Sequence, residues 1–116
     1  MHVINIKPLK AYTDNYIWLL ETNEEVSVVD PGDAKPVLDY LSKTNKNIRD
    51  IFITHHHFDH TAGVPELENI ISGSIYGPKN SYELINEKVT EGNTLSSLGI
   101  KFEIIEVPGH TLDHIA

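Results

Sequence analysis

The segment at residues 50–54 constrains the fold of this chain more than any other part of the sequence. Its three central residues, Ile51, Phe52 and Ile53, are consecutively apolar, whereas a half-buried strand alternates apolar and polar residues. A continuous apolar run of this length is typical of a strand that is buried on both faces. The segment therefore predicts a buried strand that leads directly into His55.

Other short apolar runs, each bounded by turn residues, predict further strands. Together with the first, they lie at residues 3–6, 17–20, 26–29, 51–53 and 102–107. A helix is predicted between Asp30 and Asn45, where apolar residues recur at helical spacing and Asp33 is placed to cap the first turn. A second, shorter helix is predicted from near Thr61 to Asn69. The pattern indicates a mixed α/β fold.

Size and composition limit the number of domains and the classes of function. The chain has 116 residues, of which 40% are hydrophobic, so a single domain is expected over residues 1–116. Its formal net charge of -8 at pH 7 disfavours nucleic-acid binding, because an acidic surface repels phosphate backbones. The N-terminal residues show no basic segment followed by a long apolar run, so a cytoplasmic protein without a membrane span is expected.

Four histidines and one aspartate lie within the six residues 55–60. Alternate side chains of an extended segment point to the same side, so His55 and His57 are expected to bind one metal ion. Asp59 and His60 are expected to bind a second ion nearby. The chain has no cysteine, so every protein ligand must be His, Asp or Glu. Such ligands suit zinc, which is the predicted metal, and also iron or manganese.

A third ligand for the first ion is predicted at His110. A catalytic zinc usually has three protein ligands and one open position. His110 follows the predicted strand at residues 102–107 and the turn pair Pro108-Gly109. It therefore lies where active-site residues of α/β sheets are commonly found, and two strand ends are expected to meet at one site.

Other polar residues near these motifs receive smaller roles. His56 is expected to point away from the ions, because its neighbours on both sides are predicted ligands. Asp30 is interpreted either as a turn or helix-entry residue or as an acceptor that holds the metal loop in place. His114 is left between a supporting role and an ordinary strand position, and His2 is expected to lie on the surface.

At these residues the chain resembles the metallo-β-lactamase superfamily, whose signature is His-x-His-x-Asp-His. The signature is matched by His55, His57, Asp59 and His60. Within the superfamily, the chain is most similar to the glyoxalase II family, also called hydroxyacylglutathione hydrolases. The segments that carry this likeness are Thr13-Asp14-Asn15-Tyr16, Val29-Asp30-Pro31-Gly32, Thr54-His55-His56-His57-Phe58-Asp59-His60 and Pro108-Gly109-His110-Thr111.

The resemblance implies the N-terminal half of an αββα sandwich, with a mixed β-sheet and helices on one face. It also implies that one ion is bound by His55, His57 and His110, and the other by Asp59 and His60. The family's remaining metal ligands and its substrate-binding residues are expected to follow the last residue of this chain. The second half of the sandwich and a helical substrate domain are expected to be absent as well.

The activity that the resemblance implies is metal-dependent thioester hydrolysis. The family converts S-D-lactoylglutathione and water into D-lactate and glutathione, a step of methylglyoxal detoxification, with a metal-activated hydroxide as the nucleophile. Asp59 is the expected catalytic residue, because it can bind a metal and also orient the hydroxide. A complete site is expected to hold two zinc ions and to accept a small glutathione thioester.

Several alternatives stay open at this point. One is a truncated, metal-binding remnant without turnover, or a chain that self-associates as a homo-oligomer so that a second copy completes the half-sandwich. Another is a different enzyme of the same fold, such as a lactonase or a persulfide dioxygenase. Metal content per chain, oligomeric state and thioesterase activity distinguish these possibilities.

Overall fold

A computed structural model of the chain describes residues 5–11, 15–55, 58–78, 82–105 and 115. The strands in these ranges are β1 (Asn5–Ala11), β2 (Asn15–Glu21), β3 (Glu25–Val29), β4 (Asn47–Phe52), β5 (Ile75–Pro78), β6 (Glu87–Val89), β7 (Thr94–Ser97) and β8 (Ile100–Glu103). The helices are α1 (Ala34–Thr44), α2 (Phe58–Thr61), α3 (Val64–Leu67) and a 3-10 helix, Glu68–Ile70. None of these helices is long and apolar enough to cross a membrane. The predicted mixed α/β fold is confirmed.

Six strands form one mixed sheet in the order β1-β2-β3-β4-β5-β6. β2 pairs antiparallel with both β1 and β3, whereas β3 to β6 pair in parallel. β1 lies at the edge, and it contains Lys7, Pro8 and Lys10, residue types that discourage an edge strand from pairing with other chains. Because β3 and β4 are parallel neighbours, their carboxyl ends lie at the same edge of the sheet, where a site is expected.

α1 follows β3 and confirms the predicted first helix. The Asp33 carboxylate accepts a hydrogen bond from the Lys35 N–H at 3.1 Å and so caps the first turn. The helix ends at Thr44 and is capped by Asn45, whose φ of 57° lies in the left-handed region that asparagine tolerates better than most residues. Ala34 and Val37 are buried, so this side of the helix covers one face of the sheet.

The main hydrophobic core lies between the sheet and the helices. Its strand residues alternate with residues that face the other side of the sheet. Among its buried members are Ile17, Leu19, Val26, Val28, Val37, Ile48, Ile51, Ile53, Val64, Leu67 and Ile75. This core fixes β3 and β4, the two strands that lead into the candidate site.

A second, smaller hydrophobic cluster attaches the β7–β8 hairpin to the sheet. Its members are Val89, Leu95, Ile104 and Ile115, with Phe52, Tyr76 and Phe102 packed against them. Phe52 alternates with Ile51 and Ile53 along the chain, which places this cluster on the face opposite the main core. The chain therefore packs a layer on both faces of the six-stranded sheet.

The strand predictions are correct for the centre of the sheet and less so elsewhere. The first predicted strand, residues 3–6, overlaps β1, but β1 continues to Ala11, and residues 3 and 4 lie outside the described ranges. The predicted strand at residues 102–107 is instead Ile100–Glu103, and residues 106 and 107 lie outside the description. β5, β6 and β7 were not predicted, because they are only three or four residues long and contain glycine and proline (β5), charged residues (β6) or serine and threonine (β7).

The prediction of one helix at residues 61–69 is wrong. The region instead contains α2, α3 and the 3-10 helix as separate short elements. The break between α2 and α3 falls at Gly63, whose N–H donates to the Pro31 carbonyl oxygen at 2.9 Å. A Cβ at this position would lie 2.6 Å from both the Pro31 oxygen and the Ala34 nitrogen, so only glycine allows this close approach.

Candidate metal centre

The candidate site lies where β3 and β4 end. β3 ends at Val29 and is followed by Asp30, and β4 ends at Phe52, three residues before His55. The Asp30 N–H donates to the Phe52 carbonyl oxygen at 2.8 Å, which joins the two strand ends. α2 then returns His60 to the same edge, where its ring lies close to His55.

Asp30 accepts the hydrogen bonds that organise this edge. Its Oδ1 accepts from the Thr54 N–H at 2.8 Å, and its Oδ2 accepts from the Thr54 hydroxyl at 2.6 Å and from His60 Nδ1 at 3.1 Å. Its φ of 52° is uncommon outside glycine, and aspartate is among the residues that adopt it most readily. Asp33, not Asp30, caps α1. These contacts favour the interpretation of Asp30 as an acceptor that holds the metal loop.

The hydrogen bonds of Thr54 determine which nitrogen of His55 carries a proton. A hydroxyl has one hydrogen, and Thr54 donates it to Asp30, because an ionised carboxylate can only accept. The Thr54 oxygen must therefore accept from His55 Nδ1, which lies 2.9 Å away. The unprotonated nitrogen of His55 is then Nε2, whose lone pair can bind a metal.

His60 is oriented by the same carboxylate. Its Nδ1 faces Asp30 Oδ2, so Nδ1 carries the proton and Nε2 has the lone pair. The ring centroids of His55 and His60 are 4.2 Å apart. One potential ligand atom from each of Asp30, His55 and His60 lies within 4.8 Å of the other two.

These donor atoms fit a metal ion. Two imidazoles with assigned tautomers, one of them hydrogen-bonded to a carboxylate, form the arrangement that commonly orients metal-ligating histidines. Asp30 Oδ2 already accepts two hydrogen bonds, so we assign Asp30 the orienting role and the two Nε2 atoms the ligand role. Imidazole nitrogen suits zinc, iron and manganese alike, so the donor set indicates a metal without fixing its identity.

The structure tests part of the predicted ligand set. It brings His55 and His60 together at the carboxyl edge of the sheet. Asp59 lies in α2, but its side chain is not among those described. The histidines outside the described ranges are His2, His56, His57, His110 and His114. The assignments of His57, Asp59 and His110 therefore stay predictions.

Thr54 is a residue of this site that sequence patterns do not assign a role. Its hydroxyl joins Asp30 to His55, and its N–H binds the same carboxylate. The only local signal is its position, since a hydroxyl-bearing residue directly precedes the first histidine of the cluster. The importance of Thr54 becomes visible only when Asp30, 24 residues earlier, is placed beside it.

Sequence comparison identifies relatives of this chain among known proteins. The family model described as the metallo-beta-lactamase superfamily matches residues 13–116. A hydroxyacylglutathione hydrolase from Pseudoalteromonas translucida is 48% identical over 120 residues, which cover 97% of this chain and 46% of the relative. A protein of the same name from Idiomarina loihiensis is 42% identical, with the same coverage of both chains. The chain thus spans about half the length of the curated relatives it matches.

Solved structures agree on the fold at much lower sequence identity. The B3 metallo-beta-lactamase BLEG-1 superimposes with a TM-score of 0.83 at 18% identity, over 96% of this chain and 65% of the other. ETHE1 from Myxococcus xanthus gives a TM-score of 0.76 at 24% identity, over 97% of this chain and 52% of the other. With the site geometry and the family match over residues 13–116, the conclusion is that this chain belongs to the metallo-beta-lactamase superfamily.

Proposed function

We propose that this chain carries part of the metal centre of a thioester hydrolase of the hydroxyacylglutathione hydrolase type. The observation that supports it most directly is the network of Asp30, Thr54, His55 and His60, which presents two imidazole Nε2 atoms at one edge of the sheet. Relatives with that name share 40–48% sequence identity with this chain over nearly its whole length. Because the chain spans about half of their length, its activity and substrate are part of the proposal.

The proposed ligands are His55, His57 and His110 for one ion, and Asp59 and His60 for the other. Asp59 immediately precedes His60 in α2, so its backbone already lies at the site.

His110 is supported by the way its segment is attached. The Ile115 N–H donates to the Thr54 carbonyl oxygen at 2.9 Å, so the chain is tied next to His55 only five residues after His110. Five residues span at most roughly 17 Å, which limits how far His110 can lie from that attachment point.

The proposed metal is zinc, with two ions in a complete site. Bound divalent ions lower the pKa of water and polarise a carbonyl oxygen, which is the chemistry that thioester hydrolysis requires. Asp30 and Thr54 contribute by keeping the Nδ1 protons of the two histidines in place. Asp59 is the proposed catalytic residue, because its carboxylate can orient the attacking water. The proposed substrate is a hydroxyacyl thioester of glutathione such as S-D-lactoylglutathione.

A second candidate function is metal binding without turnover. It shares with the first candidate the network of Asp30, Thr54, His55 and His60, which can bind a metal whether or not turnover follows. Self-association to complete the site, and a cytoplasmic location, stay predictions.

The test is to measure the metal content per chain and the hydrolysis of S-D-lactoylglutathione on the same purified 116-residue sample. About two zinc ions per chain together with turnover support the hydrolase. One ion or none, without turnover, supports the second candidate. Size-exclusion chromatography of the same sample shows whether an active form contains more than one copy.

Single variants test the ligand assignment. His55→Ala and His110→Ala are expected to abolish binding of the first ion, whereas His56→Ala serves as the matched control within the same loop and is expected to retain it. Equal metal loss from all three variants would contradict the expectation that alternate side chains face the ions.

A further inference from the structure

A chain of hydrogen bonds crosses the layer between the six-stranded sheet and the β7–β8 hairpin. It contains Ser27 on β3, Asp50 on β4 and Ser97 on β7, which are 0%, 3% and 3% exposed. Ser97 Oγ donates to Asp50 Oδ2 at 2.5 Å, and Ser27 Oγ lies 2.8 Å from Ser97 Oγ. Ser97 gives its only hydrogen to the carboxylate, so Ser27 must donate to Ser97. The direction of each bond is therefore fixed.

A register shift in the sheet places the Asp50 side chain on the face that contacts the hairpin. The pairing of β3 with β4 shifts register between Val26 and Val28, so that β4 has one more residue than β3 across this stretch. Such a bulge turns a side chain to a new direction. Asp50 Oδ1 is used as well, because it accepts from the Ser74 N–H at 2.8 Å. Gly73 leaves the space for this carboxylate, since a Cβ there would collide with Asp50 Oδ1.

The apolar contacts between the sheet and the hairpin do not by themselves fix the position of the hairpin on the sheet. A cavity of about 160 Å³ lies there, lined among others by Phe52, Tyr76, Leu95, Phe102 and Ile104. Apolar contacts are non-directional, and a layer with unfilled volume tolerates small shifts. Hydrogen bonds between buried groups are directional and are costly to leave unmade. The Ser97–Asp50 bond therefore sets the register of the hairpin on the sheet.

The position of the hairpin bears on the metal centre at both of its connections. β4 carries Asp50 and continues directly to Thr54 and His55. β8 is followed by Ile104, whose N–H donates to the Asn93 carbonyl oxygen at 3.1 Å. Ile115 packs with Leu95 and Ile104 in one hydrophobic cluster, and its N–H donates to the Thr54 carbonyl oxygen at 2.9 Å. The hairpin is therefore linked to the metal loop through β4 and through Ile115.

We propose that Asp50 and Ser97 are positioning residues for the metal centre, because their bond fixes the hairpin against β4, which continues to His55, and against Ile115, which binds the Thr54 carbonyl oxygen. The inference rests on the proposed function, in which His55 is a ligand of the first ion. Asp50 and Ser97 are not among the proposed ligands, and they act through the placement of the hairpin relative to His55.

The experiment compares Ser97→Ala with Ser96→Ala in the full 116-residue chain. Ser96 is the exposed neighbour of Ser97 on the same strand, which makes it a matched control. The zinc dissociation constant is measured by chelator competition, the visible absorption spectrum is recorded with Co²⁺ in place of zinc, and thermal unfolding is followed without metal. Ser97→Ala is expected to raise the dissociation constant about three- to tenfold, less than the roughly 10- to 100-fold typical of groups that contact a ligand. Its Co²⁺ spectrum is expected to change, because the geometry around the ion loosens.

A purely structural role gives a different result. Ser97→Ala would then lower the unfolding temperature and leave the dissociation constant and the Co²⁺ spectrum equal to those of Ser96→Ala, which overturns the proposal.

Ser27→Ala is the milder variant, since it keeps the Ser97–Asp50 bond, and its dissociation constant is expected to lie between those of Ser96→Ala and Ser97→Ala. If Ser97→Ala does not fold, Ser27→Ala against Ser96→Ala decides, and equal dissociation constants overturn the proposal. No zinc binding by the wild-type chain overturns the proposed function and this inference together, whereas zinc binding unaffected by the variants overturns the inference alone.

Discussion

Two buried carboxylates, Asp30 and Glu21, lie toward opposite ends of β3 and have different partners. Asp30 follows the last residue of β3, whereas Glu21 pairs with Val26 near its beginning. Asp30 accepts from Thr54 and His60. Glu21 Oε2 accepts from the Tyr40 hydroxyl at 2.5 Å and from Lys46 Nζ at 2.9 Å.

The partners of Glu21 neutralise its charge. Burial by itself would raise the pKa of Glu21, but hydrogen bonds from Tyr40 and Lys46 and the Lys46 charge hold the pKa below its ordinary value. Lys7 adds a second ammonium 3.4 Å from Oε1. Glu21 and its partners join the end of β2 to Tyr40 on α1 and to Lys46, which directly precedes β4. Both carboxylate oxygens of Glu21 already have partners within the fold.

The partners of Asp30 instead connect it to the candidate metal ligands. Each is itself attached to, or part of, a candidate ligand, so the carboxylate controls which nitrogen of His55 and of His60 carries a proton. A buried carboxylate beside lysines thus stabilises this fold, whereas one beside histidine and threonine prepares a metal site. Substitutions at the two positions are expected to separate stability from metal binding.

The largest effect is expected from Glu21→Ala. It leaves Lys46 and the Tyr40 hydroxyl without their buried acceptor and should destabilise the metal-free chain by about 3 kcal/mol. This is the low end of the range for breaking a buried pair, because the Lys46 side chain retains 16% exposure. Urea denaturation measures the change, with the exposed Glu24→Ala as a control of equal charge. The zinc dissociation constant of the folded variant should equal that of the wild type, and a large increase would break the division between the two regions.

Asp30→Asn is expected to have the opposite pattern. The amide has one acceptor oxygen where the carboxylate has two, so His60 or Thr54 loses its partner. The zinc dissociation constant should rise about 10- to 100-fold, which corresponds to about 1.4–2.7 kcal/mol. Chelator competition measures it, with Asp39→Asn on the exposed face of α1 as the control. An unchanged dissociation constant would mean that Asp30 is only a turn residue.

Thr54→Val tests the intermediate link with a smaller expected effect. The variant keeps the shape of the side chain and removes the hydroxyl between Asp30 and His55. Asp30 retains the Thr54 backbone N–H and His60, so the zinc dissociation constant should rise by about tenfold or less. Thr94→Val, on an exposed position of β7, is the control. If Thr54→Val raised the zinc dissociation constant as much as Asp30→Asn, the Thr54 hydroxyl alone would account for the effect of Asp30 on zinc binding.

Local sequence patterns identify the centre of this fold well. The apolar run that ends at Ile53 predicts β4, and helical spacing with a capping Asp33 predicts α1, because both signals lie within a dozen residues. The histidine cluster directly after β4 indicates the metal centre, and the structure brings His55 and His60 together there.

The remaining features depend on contacts between distant residues. The edge strand β1 is interrupted in sequence by Lys7 and Pro8, so its apolar pattern ends early although its pairing with β2 continues. The Ser97–Asp50 bond joins residues 47 positions apart, and neither residue stands out in its own segment. Such pairs follow from strand order and a bulge, which no local periodicity encodes.

The smallest expected effect concerns Glu21→Gln and pH. Gln keeps the shape of Glu21 and cannot ionise, so the variant removes only the part of stability that depends on the carboxylate charge. The pKa of Glu21 is lowered in the folded chain, so this contribution is fully present above the ordinary value of 4.5 and is lost as pH falls through the folded-state value. The free energies of unfolding of wild type and Glu21→Gln should therefore differ at pH 7 and converge below pH 4.5. A difference that stays constant over this range would show that Tyr40, Lys46 and Lys7 do not stabilise the charged form.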